Sequence, residues 1–131
     1  MVDIIKADSA GFCFGVKRAV DKVYEALDSG KKIYTLGPII HNNEVVKDLE
    51  SKGVTTLKDE SELDLIENEG VLIIRSHGVP KSVIDLIESK SIEYIDMTCP
   101  FVKRIHNTVN KASENDNIVV IGSDNHPEVV G

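Results

Sequence analysis

Apolar residues along this chain switch between two periods, and the switches recur in a fixed order. A short apolar run, Val2, Ile4 and Ile5, reads as a first strand. Val16, Ala19, Val20, Val23 and Leu27 then recur at helical spacing, with Gly30 placed to end the helix. Residues 32–36 read as a strand, followed by a helix capped by Asn42 or Asn43, buried through Val45, Val46 and Leu49 and stopped by Gly53. Residues 54–57 make a short strand and 61–69 one or two helical turns. The unbroken apolar run 71–74 is the pattern of a strand buried on both faces. Pro80 opens the next helix, with Val83, Ile84 and Ile87 inward. Residues 92–95 form another strand, and Val102, Ile105, Val109 and Ala112 mark one face of a further helix. The apolar run 118–121 predicts a last buried strand. Strands alternating with helices predict the α/β class, a parallel sheet covered by helices on both faces.

Composition narrows the setting. The 131 residues suit one domain, or one domain and part of another, and 41% hydrophobic with 28% charged residues is the balance of an ordinary soluble protein. No apolar run has the length of a membrane span, and no secretory signal precedes the first strand. Two cysteines in such a chain predict a reduced, cytoplasmic protein whose thiols are catalytic or metal-bound rather than joined in a disulfide. A net charge of −7 argues against a nucleic-acid surface in this region, so any anionic ligand must be held by local groups.

The polar chemistry falls at strand ends. Cys13, His41, His77, Cys99 and His126 each follow a predicted strand, and the first four precede a helix. In open parallel sheets the ligand crevice lies beyond the carboxyl ends of the strands, next to helix N-termini that favour negative charge. Glycines flank Cys13, so backbone can come close to whatever its sulfur touches. His106 differs: it lies inside a helix next to Ile105, where a structural or supporting role outweighs a direct one. One lone cysteine is usually a small buried hydrophobe. Two at equivalent turns, with three histidines at others, argue for a site. Three chemistries remain close: a Cys/His nucleophilic pair, a zinc site without the usual Cys-x₂-Cys spacing, or an iron–sulfur site one thiolate short.

Five motifs in order break that tie by resemblance. Gly11-Phe12-Cys13-Phe14-Gly15-Val16, Gly37-Pro38-Ile39-Ile40-His41-Asn42, Ile74-Arg75-Ser76-His77-Gly78-Val79-Pro80, Asp96-Met97-Thr98-Cys99-Pro100 and His126-Pro127-Glu128-Val129 resemble the 4-hydroxy-3-methylbut-2-enyl diphosphate (HMBPP) reductase family from end to end of the chain. The resemblance implies reductive removal of the allylic hydroxyl of HMBPP, giving isopentenyl and dimethylallyl diphosphate in the methylerythritol phosphate route to isoprenoids. It implies a [4Fe–4S] cluster held by three cysteines, two of them matching Cys13 and Cys99. His41, His77 and His126 match the histidines of the diphosphate pocket, and Glu128 matches the glutamate that feeds protons to the substrate hydroxyl. Reduced ferredoxin or flavodoxin is the implied electron donor.

The family fold comprises three similar α/β units, which divides this chain into an N-terminal strand and cysteine turn (1–14), a first unit (15–98) and an incomplete second unit (99–131). The third cysteine and the downstream substrate contacts are not in the chain, so it is expected to be an N-terminal part of the enzyme, inactive alone and prone to self-association. Two other classes stay open: a phosphate- or diphosphate-binding module without redox chemistry, and a thiol enzyme using Cys13 or Cys99.

Overall fold

The computed structural model describes residues 2–112, 116–126 and 129. Among the described residues four helices, four strands and one 3₁₀ turn alternate: α1 (Phe14–Leu27), β1 (Ile33–Leu36), α2 (Asn43–Ser51), β2 (Thr55–Leu57), the 3₁₀ turn (Glu60–Leu65), β3 (Val71–Ile74), α3 (Lys81–Ser89), β4 (Glu93–Asp96) and α4 (Pro100–Lys111). All strands pair in parallel, in the order β2-β1-β3-β4. The α/β reading from hydropathy is therefore correct, with helices on both faces of one sheet.

The two central strands explain why. Every residue of β1 and of β3 is buried. Their side chains alternate between two cores, as strand geometry requires. Ile33, Val71 and Ile73 meet Ala19, Val20 and Val23 of α1 and Leu49 of α2 on one face. Tyr34, Leu36, Leu72 and Ile74 meet Val83 and Ile87 of α3 and Leu63 of the 3₁₀ turn on the other. Such strands read as unbroken apolar runs because both faces need covering. Local signals set the helix ends: the Asn42 side chain accepts hydrogen bonds from the Glu44 and Val45 amides, both 3.1 Å, and caps α2.

Three expectations fail, for one reason. Residues 2–5 are not a strand; Val2, Ile4 and Ile5 are more than nine-tenths exposed. Residues 118–121 are not a strand either, and Ile121 is 95% exposed. Of the face predicted for α4 only Val102 is buried, while Ile105 and Val109 are exposed. An apolar pattern states what a segment could bury, and burial needs a partner surface. The faces of this four-stranded sheet are taken by α1, α2, α3 and the 3₁₀ turn.

This division between a covered sheet and a lightly attached α4 is testable. Leu72→Ala, in the centre of β3, should cost about 2–5 kcal/mol of unfolding free energy, the usual range for a buried leucine. Ile105→Ser, on the open face of α4, should change it by less than about 0.5 kcal/mol. Denaturant titration followed by circular dichroism measures both, and a large loss with Ile105→Ser would mean that α4 is packed into the core.

Candidate active site

The strand order reverses direction between β1 and β3. From β1 the chain passes outward to β2, and from β3 it passes the other way to β4. Loops leaving these two central strands diverge and open a crevice at the carboxyl edge, the position where such sheets bind ligands. His41 follows β1 and His77 follows β3, and their rings meet there, with centroids 4.9 Å apart and planes inclined by 45°. Pairing these two imidazoles depends on the sheet order, since 36 residues separate them along the chain.

The two cysteines reach the same edge from helix N-termini. Cys13 is the N-cap of α1 and Cys99 the N-cap of α4; neither uses its side chain to cap the helix, and both are free thiols. Both line one cavity of about 280 Å³ together with His77, Ser76 and Gly15. Gly15 is essential to that approach, because a β-carbon there would lie 2.6 Å from Cys99 Sγ and 3.1 Å from its Cβ. The glycine after Cys13 thus admits the second sulfur against the first turn of α1. Cys13 is exposed and Cys99 half-buried, so both remain accessible to a ligand.

Backbone bonds hold the Cys99 turn to the neighbouring strand: Met97 N donates to Ile74 O at 3.1 Å, and Cys99 N to Ser76 O at 2.8 Å. The Asp96 carboxylate accepts from Thr98 N at 2.9 Å, from Thr98 Oγ1 and from Lys103 Nζ at 2.6 Å. Burial pushes that carboxyl up, but the hydrogen bonds from Lys103 and Thr98 outweigh it and leave the pKa below the ordinary aspartate value. From α1, Arg18 Nη2 donates to Thr98 O at 2.9 Å.

His106 lies beneath the loop that carries His77. A β-carbon at Gly78, whose φ of +80° already favours glycine, would come within 3.2 Å of His106 Cε1. His106 Nε2 is buried with no hydrogen-bond partner among the described residues. His126 is exposed, in the segment that follows α4, and is not among the residues lining the cysteine cavity. Glu128 lies outside the described residues.

Four of the expected site residues therefore share one rim: Cys13, His41, His77 and Cys99. The bracing groups Arg18, Ser76 and Asp96 carried no assigned role in the sequence. Asp96 was readable in part, since an Asp two residues before a Thr commonly bonds forward to backbone. Arg18 and Ser76 act across elements and left no local signal. Among the described residues no group of three metal-binding side chains is assembled. The donor set is two thiols at one cavity, which fits two corners of a thiolate-held cluster and leaves the remainder to groups outside it.

A family profile described as LytB protein matches residues 4–131. The chain is 50% identical over 133 residues to the 4-hydroxy-3-methylbut-2-enyl diphosphate reductase of Caldanaerobacter subterraneus subsp. tengcongensis, covering 99% of this chain and 46% of that protein. It is 49% identical over 129 residues to the reductase of the same name from Geotalea uraniireducens, covering 98% and 44%. A solved structure of (E)-4-hydroxy-3-methyl-but-2-enyl diphosphate reductase superimposes with a TM-score of 0.80 at 44% identity, over all of this chain and 46% of that one. The corresponding reductase of Plasmodium falciparum gives 0.83 at 36% identity, over 95% and 39%. The chain thus spans less than half the length of these relatives. With a matching profile along nearly its whole length and a matching fold, the chain belongs to the LytB family.

Proposed function

We propose that this chain is part of an HMBPP reductase, contributing two thiolate ligands of a [4Fe–4S] cluster and much of the pocket for the substrate's diphosphate. The observation that carries the reading is the meeting of Cys13 and Cys99, each a helix N-cap, in one cavity with His77. Two thiols set at positive helix ends suit a metal–sulfur centre. When bound, such a cluster would supply electrons and a Lewis-acidic iron for the allylic oxygen of HMBPP. A further thiolate would come from outside this chain, in a protein of the relatives' length.

His41 and His77, whose rings meet at a tilt in the crevice, would donate hydrogen bonds to diphosphate oxygens, joined by His126. The Glu128 carboxylic acid would give its proton to the hydroxyl oxygen, which then leaves as water. The products are isopentenyl and dimethylallyl diphosphate, and the electrons come from reduced ferredoxin or flavodoxin in the cytoplasm. No described helix is long and apolar enough to cross a membrane. In this reading 1–14, 15–98 and 99–131 are the cysteine turn, a whole unit and the start of a second. The exposed Phe101, Ile105 and Val109 of α4 form an apolar face through which copies of the chain associate.

One observation favours a narrower second reading. The imidazole pair at the sheet crevice is assembled by this chain alone, so diphosphate binding without redox chemistry is within its reach.

Anaerobic reconstitution with iron and sulfide tests the first reading. The present chain should stay colourless, inactive on HMBPP and self-associated by light scattering. A protein of the relatives' length should acquire the broad visible absorbance of a four-iron cluster, and Cys13→Ser or Cys99→Ser in it should abolish both absorbance and turnover. A normal cluster in both serine variants would refute the ligand assignment.

In that longer protein His41→Ala and His126→Ala should each weaken HMBPP binding by about 1–3 kcal/mol, the worth of a charged hydrogen bond. Glu128→Gln should leave binding nearly unchanged and depress turnover, because an amide cannot donate the proton. Calorimetry beside steady-state kinetics separates the two effects, and normal turnover by Glu128→Gln would require another proton source.

A further inference from the structure

The two thiols ride on elements joined by apolar packing, in which Met97 of the Cys99 turn shares a core with Ala19, Val20 and Val23 of α1, and by few directional bonds. Cys13 caps α1, which is buried in the core through Ala19, Val20 and Val23. Cys99 caps α4, of which only Val102 is buried, while Phe101, Ile105 and Val109 are exposed. The bonds from Met97 and Cys99 fasten the Cys99 turn to β3 and its loop, and those to Asp96 fasten it to itself. Neither set fixes the turn against α1. Contact between Gly15 and Cys99 Sγ sets how close the two elements come, but a van der Waals contact is non-directional and permits sliding.

Arg18 supplies the missing direction. It stands on the helix that Cys13 caps, and its Nη2 donates at 2.9 Å to the carbonyl of Thr98, the residue before Cys99. The bond is partly buried and spans 80 residues of sequence. Guanidinium is planar and permanently charged, so this bond is directional and stronger than one between neutral groups. Arg18 Nε is buried with no hydrogen-bond partner among the described residues, so the bond to Thr98 is the polar contact that orients the fork.

We propose that Arg18 is a positioning residue: by tying the Thr98 carbonyl to α1 it sets the separation and mutual orientation of the Cys13 and Cys99 thiols. This deepens the proposal that the two thiols serve one centre, and rests on it. Neither hydrophobic core includes Arg18 or a residue of α4. Removing the tie should therefore loosen the thiol pair more than it loosens the fold.

The experiment uses the reduced, metal-free chain, so its outcome is distinct from that of cluster reconstitution. A short bis-methanethiosulfonate reagent joins Cys13 to Cys99 within one molecule, and mass spectrometry reads the yield of internal crosslink against doubly modified, unjoined chain. Cys13→Ser gives the background. Arg18→Met keeps the aliphatic stem and removes the fork. It should lower the crosslink yield roughly fivefold, as loss of a charge-assisted bond allows, while the unfolding midpoint moves little. Arg18→Lys, which keeps the charge on a flexible stem, should fall between Arg18→Met and the unsubstituted chain. A folded Arg18→Met with unchanged yield overturns the proposal, as does a yield that falls only in step with global unfolding. Should Arg18→Met not fold, nitrogen-15 spectra of the Arg18 side chain in the unsubstituted protein decide. Hindered rotation of its Nη groups supports the tie, and free rotation overturns it.

Discussion

Double-sided burial of β1 and β3 is the constraint on which the rest of the chain depends. A parallel pair cannot be joined by a tight turn, so each strand must be reached through a crossover, and the crossover helices cover the faces. Because β2 and β4 then lie on opposite outer sides, the loops leaving β1 and β3 diverge at the carboxyl edge. That divergence is the crevice in which His41 and His77 meet. The site is thus a consequence of strand order as much as of the residues in it.

Around this crevice the chain spends little core and much bonding. The Cys13 turn is exposed, and the Cys99 turn, anchored by the buried Met97, is placed by a glycine that makes room, by backbone bonds to the β3 loop and by charged groups that brace it. This suits a site whose sulfurs must stay accessible. Surface ion pairs such as Lys17–Asp21 and Lys81–Asp85 are exposed and contribute little to stability. The half-buried Asp96 is different, since its bonds order the turn that presents a thiol.

Most of the exposed apolar residues fall in three places outside the covered sheet. Residues 2–5, the outer face of α4 and 118–121 have the hydropathy of buried elements and are left uncovered.

The amino-acid sequence by itself determined the α/β class and the bounds of most elements: the run 71–74 is β3, Asn42 caps α2 and Pro80 precedes α3. It also marked His41, His77 and Cys99 as strand-end chemistry, while Cys13 was marked as following a strand over 2–5 that the structure does not form. These were legible because hydrophobic period, caps and turns are local, and each is written in a few neighbouring residues. Tertiary structure alone decided that 118–121 does not pair, that α4 leaves Ile105 and Val109 open, and that Gly15 exists for the sake of Cys99. It alone set Arg18 against Thr98 and His41 against His77. Pairing, burial and close approach each need a second surface, and which surface arrives is fixed by strand order rather than by any segment's own pattern.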